Sequence, residues 1–81
     1  MTFTLYSKAD CSLCDKAKDA LAEFRRECVF DCIVTNITTD PGLFEKYKFD
    51  IPVLALDGTD VLKHFIDIQK LRIVASRRQA F

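Results

Sequence analysis

A chain of 81 residues can build one hydrophobic core, so a single domain over residues 1–81 is expected. Hydrophobic residues at 49% and charged residues at 30% exclude a disordered chain, and a formal net charge of zero leaves no field to draw in nucleic acid or an anionic membrane. The nearest thing to a basic cluster, Arg72, Arg77 and Arg78, is too small to argue for a nucleic-acid partner. Met1-Thr2-Phe3 runs into a strand-like segment without a secretory leader pattern, and no apolar run is long enough to span a bilayer, so the expected compartment is the cytoplasm.

Thr2 to Tyr6 is rich in β-formers and reads as a first strand, interrupted by the polar stretch Ser7-Lys8-Ala9-Asp10. Leu13, Ala17, Ala20, Leu21 and Phe24 then recur at helical steps, with Asp15, Lys16, Asp19 and Glu23 on the other face. This predicts an amphipathic helix from Ser12 to Arg26, with Arg25 and Arg26 in a last turn whose carbonyl end they complement. Val29 to Ile37 is β-branched and apolar, which predicts a strand buried on both faces and, with the preceding elements, a right-handed parallel crossover.

Thr39-Asp40-Pro41 starts a short helix, capped by a side chain and opened by a proline that the first turn tolerates. Leu43, Phe44 and Tyr47 mark one side of it before it ends near Lys48. Val53 to Leu56 and Val61 to Phe65 flank Asp57-Gly58, a dipeptide suited to a two-residue antiparallel hairpin turn. Asp67 can cap a last helix, with Ile66 and Leu71 as a hydrophobic staple and Ile68, Leu71, Val74 and Ala75 as its buried stripe. Phe3, Phe24, Phe30, Phe44, Phe49 and Phe65 are expected in the core. The order βαβ-α-ββ-α predicts an α/β fold of thioredoxin-like arrangement, a four-stranded mixed sheet flanked by helices on both faces.

Four cysteines in a short chain without a secretory leader point to redox chemistry or metal rather than to a disulfide scaffold. Cys11 and Cys14 fall between the first strand and the first helix. If Cys11 caps that helix, Cys14 follows one turn later and the sulfurs can meet. Exposed N–H groups and the positive dipole end favour thiolate, so Cys11 is expected to titrate below the free value of about 8.5. Lys8 adds a cation that favours the thiolate or receives a substrate carboxylate, and Asp10 opposes it if turned inward. Cys11, nearer solvent, is the expected nucleophile; Cys14, beside Leu13, Ala17 and Leu21, is the expected resolving thiol. Ile51-Pro52, with its proline opening a strand, suits a cis peptide bond and lies opposite the Cys11 turn in this topology.

Ser7-Lys8-Ala9-Asp10-Cys11-Ser12-Leu13-Cys14 after the first strand resembles the start of a glutaredoxin, and Ile51-Pro52-Val53 is similar to that family's cis-proline segment. The run from Tyr47 to Leu54 is similar to small glutaredoxin-like proteins in particular. The resemblance implies dithiol exchange on a disulfide-containing protein or a small thiol substrate, by a monomer with no firmly bound cofactor. Ser12-Leu13 replaces the usual Pro-Tyr, which alters the redox potential without removing the exchange. The Gly-Gly-x-Asp stretch that holds glutathione is replaced by Val61 to Asp67. Lys8 and the backbone at Ile51 and Pro52 alone carry over as substrate contacts, so glutathione is expected to be a weak co-substrate or none.

Three other readings compete. Zinc held by Cys11, Cys14, Cys28 and Cys32 fails because a helix of about 15 residues separates its ends by about 20 Å. Cys28 and Cys32 are then buried, inert thiols. An iron–sulfur cluster shared between two chains through Cys11 and a binding module with vestigial cysteines remain alternatives. His64, the one histidine, reads as a partly exposed structural residue of an edge strand rather than a catalytic base.

Overall fold

The computed structural model describes residues 1–78, with only the backbone of Arg78. The expected domain's last three positions, 79–81, lie outside the described residues, as does the Arg78 side chain of the basic grouping. Strand β1 (Thr2–Ser7) leads into α1 (Ser12–Phe24), followed by β2 (Asp31–Asn36), a 3₁₀ turn (Ile37–Thr39) and α2 (Pro41–Tyr47). The hairpin β3 (Val53–Leu56) and β4 (Thr59–Lys63) precedes α3 (Ile68–Arg78).

The sheet order is β2-β1-β3-β4. β1 pairs parallel with β2 from Thr2↔Asp31 to Ser7↔Asn36 and antiparallel with β3 from Phe3↔Leu56 to Tyr6↔Val53. β3 and β4 are antiparallel, with an irregularity between Leu54 and Ala55. This is the thioredoxin-like mixed sheet that the element order predicts.

Alternation along the central strands divides the core between the two faces. Phe3, Leu5, Leu54 and Leu56 meet Ala17, Ala20, Leu21 and Phe24 of α1 and Leu71 and Ala75 of α3. On the other face Val53 packs with Ile37 and Tyr47 near α2, and Tyr6 stacks on Tyr47 at 4.4 Å between ring centroids. Tyr47 closes this smaller cluster by donating its hydroxyl to Asp60 of β4.

Local signals act where the sequence places them. Asp40 accepts from the N–H groups of Gly42 and Leu43 ahead of Pro41. Asp57 and Gly58 both have positive φ, 49° and 90°, as a two-residue hairpin turn of the primed type requires. Asp67 accepts from the N–H of Lys70, and the staple residues Ile66 and Leu71 are buried.

Three expectations need correction. β2 is an edge strand rather than one buried on both faces, with Ile33 and Val34 about half exposed and Val29, just before it, 96% exposed. An apolar β-branched run has the same period whether a strand ends up central or at an edge; only the pairing decides. α1 ends at Phe24, and no basic residue lies in its last turn. Arg25 is instead the C-cap, its guanidinium 4.8 Å over the Phe30 ring and donating to the Phe30 carbonyl. Phe44, Phe49 and Phe65 are exposed, Phe49 at 83%, while Phe3, Phe24 and Phe30 are core. The Lys48 ammonium lies over both the Phe44 and Phe49 rings, so those two cover a lysine stem at the surface.

Candidate functional site

The loop after β1 turns sharply at Asp10, whose φ of 57° is a left-handed value that aspartate tolerates better than most residues. This turn delivers Cys11 to the N-cap of α1 in extended conformation. Its Sγ accepts the N–H of Cys14 at 3.2 Å, and its carbonyl accepts the N–H of Asp15. A sulfur therefore fills the place that a serine or aspartate oxygen usually takes at a helix start.

The two cysteines stand at disulfide-bonding distance, with Cα atoms 5.2 Å apart, inside the range a disulfide requires. Their exposure differs as the helical periodicity predicts. Cys11 is partly buried and keeps some accessible surface, whereas Cys14 has none and faces inward with Ala17 and Leu21.

The Ile51–Pro52 bond is cis. Because Tyr6 is paired with Val53, Pro52 comes level with Ser7 and so lies at the end of the sheet from which the Cys11 loop emerges. Pro52 is fully buried, and its carbonyl accepts the N–H of His64 at 2.8 Å. Ile51 is half buried and packs on the Tyr47 cluster. Lys8 is exposed and lines a shallow depression of about 290 Å³ with Asp10, Asp15 and Lys18. The fold thus gathers Cys11, Cys14, Lys8, Ile51 and Pro52 at one end of the sheet.

His64 lies just past β4 in a left-handed conformation (φ 64°), half exposed, with Nε2 3.8 Å from an Asp50 carboxylate that also meets Lys63 at 3.6 Å. Cys28 and Cys32 are half buried rather than buried. Burial nonetheless pushes the Cys32 thiol up from its ordinary value, against the smaller pull of Arg25. Among the described residues no three His, Cys, Asp or Glu side chains gather closely enough to hold a metal ion, and no helix is long and apolar enough to cross a membrane.

A larger groove, about 390 Å³, escaped sequence reasoning because its walls come from distant segments. One wall is the flank of α1 from Leu13 through Lys16 and Ala20 to Glu23; the other is His64 to Ile68. Neither cysteine lines it; its link to the site is that Leu13 stands between the two cysteines in sequence and that the N–H of His64 is bonded to the Pro52 carbonyl. The exposed Phe65 beside it is among the six phenylalanines expected in the core.

A mixed four-stranded sheet with a C-x-x-C pair at the first helix cap and a cis-proline at the same end of the sheet defines a thioredoxin-like protein. The model of the family described as Glutaredoxin-like domain (DUF836) matches residues 2–74, and the chain belongs to that family. It is similar to the target protein XcR50 from X. campestris, whose X-ray structure superposes with a TM-score of 0.77 at 34% identity over 93% of this chain and 96% of that one. The solution structure of the same protein gives a TM-score of 0.72 at 35% identity over 95% of each chain. Uncharacterized proteins of Mycobacterium bovis and Mycobacterium tuberculosis are 30% identical over 78 residues, covering 90% of this chain and 80% of theirs.

Proposed function

We propose that the chain is a thiol–disulfide oxidoreductase of the cytoplasm, acting as a monomer on a disulfide-containing protein or a small disulfide. The observation that carries this reading is the asymmetry of the pair, a partly accessible Cys11 at a helix N-cap over a fully buried Cys14. An accessible sulfur held by a backbone N–H at the positive end of a helix is suited to attack, and a buried one a turn later is suited to resolve.

The exchange runs in two steps. Cys11 thiolate attacks one sulfur of the substrate disulfide; a Cys11–substrate S–S bond forms and the other substrate sulfur leaves as thiolate, taking a proton from water. Cys14 then loses its proton and attacks the Cys11 sulfur, closing the Cys11–Cys14 disulfide and releasing the second substrate thiol. Two electrons and two protons pass from the dithiol to the substrate, and a dithiol or thiol reductant of lower potential restores the pair. Ile51 and Pro52 border the attacked bond, and Lys8 supplies a cation to an anionic substrate group. Burial of Cys14 keeps the resolving step intramolecular.

Substitution of each cysteine tests the reading. Cys11→Ser is expected to abolish disulfide reduction, and Cys14→Ser to retain attack but accumulate a mixed disulfide visible by intact mass. Retention of reductase activity by Cys11→Ser would overturn the proposal, and retained partner binding without any activity in the native chain would mark a binding module instead.

A further inference from the structure

We propose that the groove between α1 and the His64–Ile68 segment selects the substrate: it takes the extended peptide flanking a protein disulfide, with an apolar residue on its floor and a lysine or arginine at its acidic rim. This rests on the oxidoreductase reading and adds the class of substrate to it.

The floor is apolar, formed by Leu13, Ala20, Ile66 and Ile68, with the exposed ring of Phe65 at its side. Its position suits a flanking segment, because one end of the groove is set by Leu13, which lies between the two cysteines in sequence, and by His64, whose N–H is bonded to the Pro52 carbonyl. From Leu13 to Glu23 the helix rises about 15 Å, the span of four or five extended residues. A peptide whose cysteine is bonded to Cys11 can therefore run its neighbours along this wall.

Charge decides which peptide. The lining carries Asp19, Glu23 and Asp67 against the single ammonium of Lys16. Two cations stand nearby: Arg72 is bidentate on Glu27 and also feels the Glu23 charge, and Lys70 donates to the Phe65 carbonyl. Asp67 uses one oxygen to cap α3, and Asp19 and Glu23 stand exposed on the α1 wall. A cationic side chain finds carboxylates here; a second carboxylate meets like charge. The same rim disfavours glutathione, which brings two carboxylates and only one ammonium.

Short peptides bearing one cysteine as a disulfide with 2-mercaptoethanol, flanked by Leu and Lys, by Leu and Glu, or by two Gly, provide the test. At low salt the native protein is expected to reduce the Leu–Lys peptide with about tenfold higher kcat/KM than the Leu–Glu peptide, carried by KM, with the Gly peptide between them. Asp19→Lys and Glu23→Lys should each erode that preference about two- to fivefold without changing kcat. Asp31→Lys, on the far edge strand, should leave it intact. Equal rates for all peptides, or a preference surviving both groove variants, overturns the inference. If no peptide is reduced, binding of the Leu–Lys peptide with Ser in place of its cysteine is followed by NMR. Shifts centred on Leu13, Ala20 and Ile66 keep the groove and sink the oxidoreductase reading, whereas no shifts there sink the groove.

Discussion

The backbone N–H of Cys14 points at the Cys11 sulfur, 3.2 Å away, so the buried member of the pair helps to hold the exposed one. A helix start leaves its first N–H groups without carbonyl partners, and here one of them is satisfied by a sulfur. Negative charge on that sulfur is stabilised by the bond and by the helix dipole together.

Alkylation order follows from this relationship. In the reduced protein at neutral pH, Cys11 is expected to react with iodoacetamide at least about tenfold faster than Cys14, since thiolate character and access both favour it. Cys32, its thiol pushed up by burial, should be slow as well. Peptide mapping after a timed quench checks the order; faster labelling of Cys14 would reverse the assigned roles.

Glutathione should support the exchange weakly. Val61 to Asp67 stands near the place of the Gly-Gly-x-Asp stretch that the resemblance to a glutaredoxin would call for, and the groove beside it is rimmed by Asp19, Glu23 and Asp67. A glutathione-coupled disulfide reduction assay is expected to show slow, non-saturating turnover. Robust saturable activity would contradict it.

Gly58→Ala isolates a backbone effect. At φ 90° the glycine sits where a side chain strains the chain, yet a Cβ there would meet nothing within 4 Å. The cost is therefore conformational alone, about 1–2 kcal/mol in urea unfolding. No loss of stability would mean the turn simply rearranges.

Glu27 should contribute stability only above the acid range. Arg72 bonds its carboxylate with Nε and Nη2, which lowers the Glu27 pKa, chiefly through the hydrogen bond. Because the folded value lies below the unfolded one, of about 4.3, the stabilisation is full at neutral pH and disappears as pH falls through the folded value. Both side chains are partly exposed, so the effect is small and weakened by salt. Melting temperatures of native and Glu27→Gln protein should differ slightly at pH 7 and converge at an acid pH below the folded value. A gap of equal size at both pH values would assign the difference to packing.

Much of the fold was legible because its signals are local. Caps at Asp40 and Asp67 and the turn at Asp57-Gly58 are made by atoms within three residues of one another, so residue type nearly settles them. The same holds for Cys11 and Cys14, whose spacing and place before a helical pattern sufficed to bring the sulfurs together.

Other features depend on what a segment meets far along the chain. β2 reads as a central strand from its own residues and becomes an edge strand because β1 gives its other side to β3. Phe65 reads as core and is left exposed beside a groove that exists only once α1 and the segment after β4 are packed together. His64 is tied to Pro52 by one backbone bond, made when β4 runs back along β3 in the hairpin. Local chemistry placed the paired sulfurs; long-range packing, which no short window of residues contains, shaped the surface around them.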